Sequence, residues 1–286
     1  MWRVNLLSLG GGGTSDFTAL HSVPALLTCV SSAWRSTGPN TRYTRPVAEA
    51  RVRSLPRSLC HHADAPPAAK VESLLAANPK LAAQRDPDDR LALHWAVSYN
   101  HVPIVQLLSQ LKGFDADVKD GSGWTPLMMA CSRKDAEAIV DLLLSMDADV
   151  NAINNNGQTA LHFCASKSNL DIARTLLSQK PPASARKKDK RSQLPLHRAA
   201  AVGNVPMLKA LLDANSPLNA TDMDGMTALH HAMSEGHGDA ALLLLTRGAE
   251  FDKKDNHEHV PLDLAPDAKM RHFIVQAAER EGIDLE

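Results

Sequence analysis

From about residue 90 onward, apolar residues fall in short groups at helical spacing. The groups are Ile104-Val105 with Leu107-Leu108, Ile139-Val140 with Leu143-Leu144, Ile172-Ala173 with Leu176-Leu177, Met207-Leu208 with Leu211-Leu212, and Leu242 to Leu245. Each group makes one apolar face on a helix of two to three turns. Ahead of each stands a compact tetrad: Leu91-Ala92-Leu93-His94, Thr125-Pro126-Leu127-Met128, Thr159-Ala160-Leu161-His162, Leu194-Pro195-Leu196-His197 and Thr227-Ala228-Leu229-His230, with a worn copy at Val260-Pro261-Leu262-Asp263. Successive copies start 34, 34, 35, 33 and 33 residues apart. The tetrads open a second series of shorter helices, because Thr supplies a cap and Pro tolerates a first-turn position where its missing N–H costs nothing.

In the second copy Asp120-Gly121-Ser122-Gly123-Trp124 has turn composition, Met128 to Ser132 continue the first helix, and Ala136 to Ser145 are expected to form the second. Self-similarity at this period on this tetrad is the signature of ankyrin repeats. The expected fold is an all-α solenoid of helix-turn-helix units with β-hairpin tips and a concave binding face. One unit cannot cover its own apolar face, so stability is a nearest-neighbour sum. The units are expected at about 86–119, 120–153, 154–188, 189–221 and 222–254, within a domain over 66–286 that ends in a cap at 255–286. Ahead of them, 68–85 reads as a partial repeat: Lys70 to Ala77 as an outer helix, then a loop Asn78-Pro79-Lys80-Leu81. Cys60 to Pro67 does not supply a good inner helix. At the other end Ala268 to Arg280 puts Met270, Phe273, Ile274 and Ala277 on one side and charges on the other.

Residues 1–65 are expected to be a disordered extension. They hold seven arginines, no lysine and only Asp16, Glu49 and Asp64 as acids. Such an Arg-rich, acid-poor composition is also that of a mitochondrial presequence, but no helical stripe follows Leu6 to Gly13 and prolines break the rest. The net charge of -1 argues against bulk attraction to nucleic acid or membrane surfaces. No apolar run of about 20 residues is present to span a bilayer. Cys29, Cys60, Cys131 and Cys164 show no paired spacing, and the last two fall where the repeat has small core residues.

Chemistry finds little foothold. The tetrad histidines lie one per layer, about 10 Å apart, too far to share a metal; they read as structural links between repeats. His257, Glu258 and His259 sit on a tip. Phosphate loops and nucleophile elbows are absent from the sequence. No catalytic residue, cofactor or metal is expected, and the chain reads as a binding protein, monomeric when free.

The candidate contact residues are those the stack would align on its inner wall. From the tips come Asp88, Asp89, Arg90, Asp120, Ser122, Trp124, Lys190, Arg191 and Asp224. From the inner helices come Trp95, Tyr99, Arg133, Phe163, Lys167, Arg198, His231 and Glu235. Rings beside arginine are the composition of interface hot spots, although such rings also cover seams between repeats. Charge changes sign along the wall: six acids against three bases over 86–120, and eight bases against Asp189 alone over 180–209. A partner of opposite polarity would be steered and oriented by that field.

Several stretches exceed the general repeat pattern: Leu93-His94-Trp95-Ala96-Val97-Ser98, Asp120-Gly121-Ser122-Gly123-Trp124-Thr125-Pro126, Lys188-Asp189-Lys190, Leu196-His197-Arg198-Ala199-Ala200-Ala201 and Glu235-Gly236-His237-Gly238-Asp239. On these, residues 70–286 resemble gankyrin and its fungal counterpart. The resemblance implies a non-enzymatic assembly chaperone of the 26S proteasome regulatory particle, cytoplasmic and nuclear. It would grip the C-terminal domain of a base ATPase subunit with its concave face and hinder premature docking on the core particle. An adaptor or inhibitor of another protein, such as a kinase or transcription factor, is the alternative. The family begins with a tip and helix that this chain lacks before Lys70.

Overall fold

A computed structural model of the chain describes residues 68–285. The chain divides into two units, Met1–Pro46 and Val47–Glu286, and every described residue belongs to the second. The expected extension over 1–65 and the Cys60 to Pro67 stretch lie outside the described residues.

Among the described residues the elements are α-helices and two short 3-10 helices. The inner row consists of α2 (Ala92–Ser98), α4 (Pro126–Cys131), α6 (Ala160–Lys167), α8 (Pro195–Val202) and α10 (Ala228–Ser234), and ends in the 3-10 helix Pro261–Leu264. The outer row is α1 (Ala68–Ala77), α3 (Val102–Ser109), α5 (Glu137–Leu144), α7 (Leu170–Leu177), α9 (Val205–Asp213), α11 (Gly238–Thr246) and α12 (Ala268–Arg280). Each inner helix packs on the next inner helix, and in the outer row α1, α3 and α5 pack in succession, as do α7, α9, α11 and α12. This is the expected all-α repeat stack, except that the tips are turns, with no strand among the described residues.

Local chemistry sets the boundaries. Thr125 Oγ1 accepts from the Met128 N–H at 3.4 Å, and Pro126 occupies the first turn of α4. Ala136 and Ser145, expected inside the outer helix, are its two caps. Asn78 to Leu81, expected as loop, enters the 3-10 helix Pro79–Ala83, because the Asn78 side chain accepts from the Lys80 N–H at 3.2 Å and Pro79 pre-sets the first turn. Asp267 caps α12 through the Met270 N–H at 2.7 Å, and Ile274, Ala277 and Ala278 form its buried side.

The core lies between the two rows. Ala130, Cys131, Cys164, Ala165, Ala199 and Ala200 are all buried in the inner row, where short side chains allow close approach of neighbouring helices. Cys131 and Cys164 are thus the small core residues the sequence suggested. Burial, and then the neighbouring Cys164 sulfur, push the Cys131 thiol well above its ordinary range.

The tetrad histidines tie layer to layer. In each, Nδ1 accepts the N–H of the residue that opens the helix: Leu91 to His94 at 3.0 Å, Thr159 to His162 at 3.1 Å, Leu194 to His197 at 3.0 Å and Thr227 to His230 at 3.1 Å. That bond places the proton on Nε2, which donates to a carbonyl in the next tip or just ahead of it: Val118, Gln193, Ala220 and His259 at 3.0–3.3 Å. Burial is the leading cause that depresses all four pKa values, to about 4 for His162 and for His197. The worn tetrad has Asp263 instead, whose Oδ2 accepts from the Val260 N–H at 3.3 Å. Its helix is the four residues Pro261–Leu264.

Candidate partner-binding face

The wall is built from six tips that share one plan. An aspartate or asparagine opens each, and its Oδ1 accepts two main-chain N–H groups, two and four residues on. The anchors are Asp86, Asp120, Asn154, Asp189, Asp222 and Asp255, with bonds of 2.8–3.0 Å. Such loops need a left-handed residue just before the last N–H. Glycine fills it at Gly123, Gly157 and Gly225, but Asp89, Ser192 and Glu258 take it with φ of 58 to 66°. One main-chain bond joins each tip to the next: Gly121 N–H to Asp88 O, Asn155 to Ser122, Lys190 to Asn156, Met223 to Arg191 and Asn256 to Asp224, all 2.9–3.1 Å. The approach is close: a Cβ on Gly123 would come 2.6 Å from Asn155 Oδ1.

The second oxygen of each aspartate decides which candidate side chains remain on the surface. Asp86 Oδ2 accepts Trp95 Nε1 at 2.8 Å, Asp189 Oδ2 accepts Arg198 at 2.7 Å, and Asp222 Oδ2 accepts His231 Nε2 at 2.9 Å. These three donors occupy the same position, four residues after the helix cap. The residue just before the cap reaches forward instead. Arg90 Nε donates to Asp120 Oδ2 at 3.1 Å and Gln193 Nε2 to Asp222 Oδ2 at 3.2 Å. Burial opposes ionisation of Asp222, but hydrogen bonds from His231 and Gln193 outweigh it and hold the carboxyl at about 2.

Three candidates therefore differ from expectation. Trp95, Asp120 and His231 are only 7%, 6% and 7% exposed. They lie inside the wall, because a buried carboxylate needs donors and a buried indole or imidazole N–H needs an acceptor. Arg90 and Arg198 are half-buried and paired to Asp120 and Asp189; the Arg90 guanidinium also lies 5.2 Å from the Trp95 ring centroid. Arg133 is half-buried and donates to Ser98 O. Its charge, after burial itself, depresses the pKa of His101.

Tyr99 is half-buried and stacks on Trp95 and His101, with centroids at 6.1 and 6.0 Å. Where the fourth position is Phe163, the tip offers Asn154, whose amide turns to Gln158 at 3.0 Å. Phe163 is left to pair with Trp124, centroids 4.2 Å apart and both half-buried. The ring pair closes the seam between α4 and α6 and still shows an edge to solvent. Asp88, Asp89, Ser122, Lys167, Lys190, Arg191, Asp224 and Glu235 are exposed. Asp89 pairs with Arg85 at 3.2 Å and Arg191 with Asp224 at 3.3 Å.

The structure adds Val202 (44% exposed) to the face, where the tip residue Met223 is 62% exposed. Val202 follows its helix cap by eight residues, as do Tyr99, Arg133, Lys167 and Glu235. The repeat register alone would have found it.

Comparison with known proteins matches this architecture. The ankyrin-repeat family model (three copies) fits residues 93–189 and 180–255. The Saccharomyces cerevisiae protein named probable 26S proteasome regulatory subunit p28 is 39% identical over 211 residues, 72% of this chain and 92% of the relative. An ankyrin repeat-containing protein of Schizosaccharomyces pombe is 36% identical over 217 residues, 75% of this chain and 92% of its own length. Human neurogenic locus notch homolog protein 1 is 37% identical over 93 residues, only 4% of that protein, so the match there is one of repeats alone. With a nearly full-length match to p28 on one side and the stacked helix pairs on the other, the chain belongs to the gankyrin family of ankyrin-repeat proteins.

Proposed function

We propose that this protein is a non-enzymatic assembly chaperone of the 26S proteasome regulatory particle, which binds the C-terminal domain of a base ATPase subunit through the wall of tips and inner helices. The observation that carries the reading is the alignment with p28 across 92% of that relative. The wall supports it. Asp88 and Asp89 mark its acidic end, and Lys190 and Arg191 its basic one, with the Trp124–Phe163 ring pair and Lys167 between them. Exposed charges of opposite sign at two ends set register and encounter rate more than affinity, while the ring edges supply desolvated contact. The bound chaperone hinders docking of the ATPase module by bulk. It is monomeric when free and works in cytoplasm and nucleus.

The expected result of mixing the chain with purified C-terminal domains of the base ATPases is selective capture of one of them. Capture of none would overturn the reading. Lys190→Glu with Arg191→Glu is expected to weaken that complex at least about tenfold and to flatten its salt dependence, as for lost charge contacts across an interface. Thermal unfolding should hardly move, because the one ion pair lost, Arg191–Asp224, is exposed on both sides. Unchanged affinity in the double variant would remove the basic end from the interface.

A further inference from the structure

The last layer of the stack carries a feature that the wall does not use. In the earlier layers an inner helix of six to eight residues follows each inner helix and covers it. The layer after α10 has only the 3-10 helix Pro261–Leu264, and the chain then turns away through Ala265-Pro266 into α12. The missing turns leave a cleft of about 360 Å³. Leu229 and Met233 of α10, Leu245 of α11 and Ile274 of α12 form its floor, with Phe251 and Leu285 as walls.

The geometry points to a binding site for a small uncharged hydrophobe, such as a compound with one aromatic ring or a short branched alkyl chain. Three observations converge on that class. Nine of the lining residues are apolar, and Asp252 and Arg271 are the two charged ones. Arg271 lies at the rim, exposed and beside the Asp263 carboxylate at 3.5 Å, so water and a neighbouring anion already compete for its charge. The buried side-chain polar atoms without a partner among the described residues belong to Asn100, His101, Arg133 and Arg198, none of which lines the cleft. The site therefore asks its ligand for no hydrogen bond, and an apolar guest would displace water from a lining that holds it only weakly.

The floor residues Leu229, Met233, Leu245 and Ile274 are each 5% exposed or less. Leu285 is the wall best placed to yield, since it follows α12 and is tethered by the Ile283 N–H to Ala278 O bond at 2.9 Å. Occupancy would favour the docked state of α12 over the frayed one.

The test uses the full chain with 13C-labelled methionine methyls and toluene or n-butylbenzene as probe. The expected result is a saturable shift of the Met233 methyl below about 1 mM probe, with Met128 and Met207 unmoved and with benzoate silent. Leu285→Trp, or Phe251→Trp from the opposite wall should the first variant fold poorly, is expected to fill the cleft and abolish the shift. The proposal falls if no hydrocarbon saturates, if benzoate binds as well, or if the filled variant responds as the parent does. It falls too if Met233 responds only to an added ATPase domain, which would reassign the cleft to a polypeptide side chain. Because the probes need no proteasome component, their outcome is independent of the proposed function.

Discussion

Between pH 7 and pH 5 the folded stack is expected to lose about 2 kcal/mol of stability at each of His162 and His197. Both have pKa values of about 4 when folded, against roughly 6.5 in the unfolded chain. The unfolded state therefore binds more protons throughout this window. The neutral-histidine contribution is fully present above the unfolded value and drains away as pH falls toward the folded one. The structural cause is directional. Nδ1 of each ring faces an N–H donor, so a second ring proton has nowhere to point. Asp222, held at about 2, acts lower down: its contribution is lost only as pH falls from roughly 3.8 toward that value. Urea titrations from pH 7.5 to 4.5 measure the effect. His162→Leu should remove its own share of the loss, about 2 kcal/mol, at a cost in stability at pH 7 because the Gln193 carbonyl loses its donor. A stability flat across that range would show that these rings are not held neutral.

Asp189→Ala is expected to destabilise the chain by about 3 kcal/mol or more, although its neighbours on both sides, Lys188 and Lys190, are exposed. One oxygen of Asp189 accepts the Arg191 and Gln193 N–H groups at 2.9 Å, and the other takes Arg198 at 2.7 Å. Its side chain is 3% exposed. Removal opens the loop and strands a half-buried guanidinium whose Nε already has no partner. Asp189→Asn separates the two losses, because its carbonyl oxygen can still accept both N–H groups, as Asn154 does in its own tip. The Asn variant should recover a good part of the stability and leave Arg198 unpaired. Equal loss in the two variants, read from denaturant midpoints, would contradict this division of labour.

The repeat register was legible because the apolar spacing and the tetrads report directly on burial. The histidines' linking role followed from their one-per-layer placement. What the sequence did not disclose was how each tip aspartate spends its second oxygen, because that choice depends on two residues in different layers. Trp95 and Trp124 look alike in sequence, each a ring beside a tip. Trp95 is drawn inward because its N–H meets the free oxygen of Asp86, and Trp124 lies over the neighbouring ring because the Asn154 amide is satisfied by Gln158. Asp120 and His231 misled for the same reason. Residue type and exposure at a tip are coupled to a residue 9 or 30 positions away in sequence, as in His231–Asp222 and Arg90–Asp120. A single-position reading has no access to that.

The split use of the tip carboxylates limits how freely such modules can be exchanged. Asp120 and Asp222 each shape their own loop with one oxygen and receive a donor from the preceding module with the other, Arg90 in one case and Gln193 in the other. A module cut out and spliced elsewhere would keep its shape but arrive with the wrong handshake. Chimeras of this chain with its relatives should therefore be joined outside residues 90–120 and 193–222, for instance within α5 or α7, so that donor and acceptor travel together.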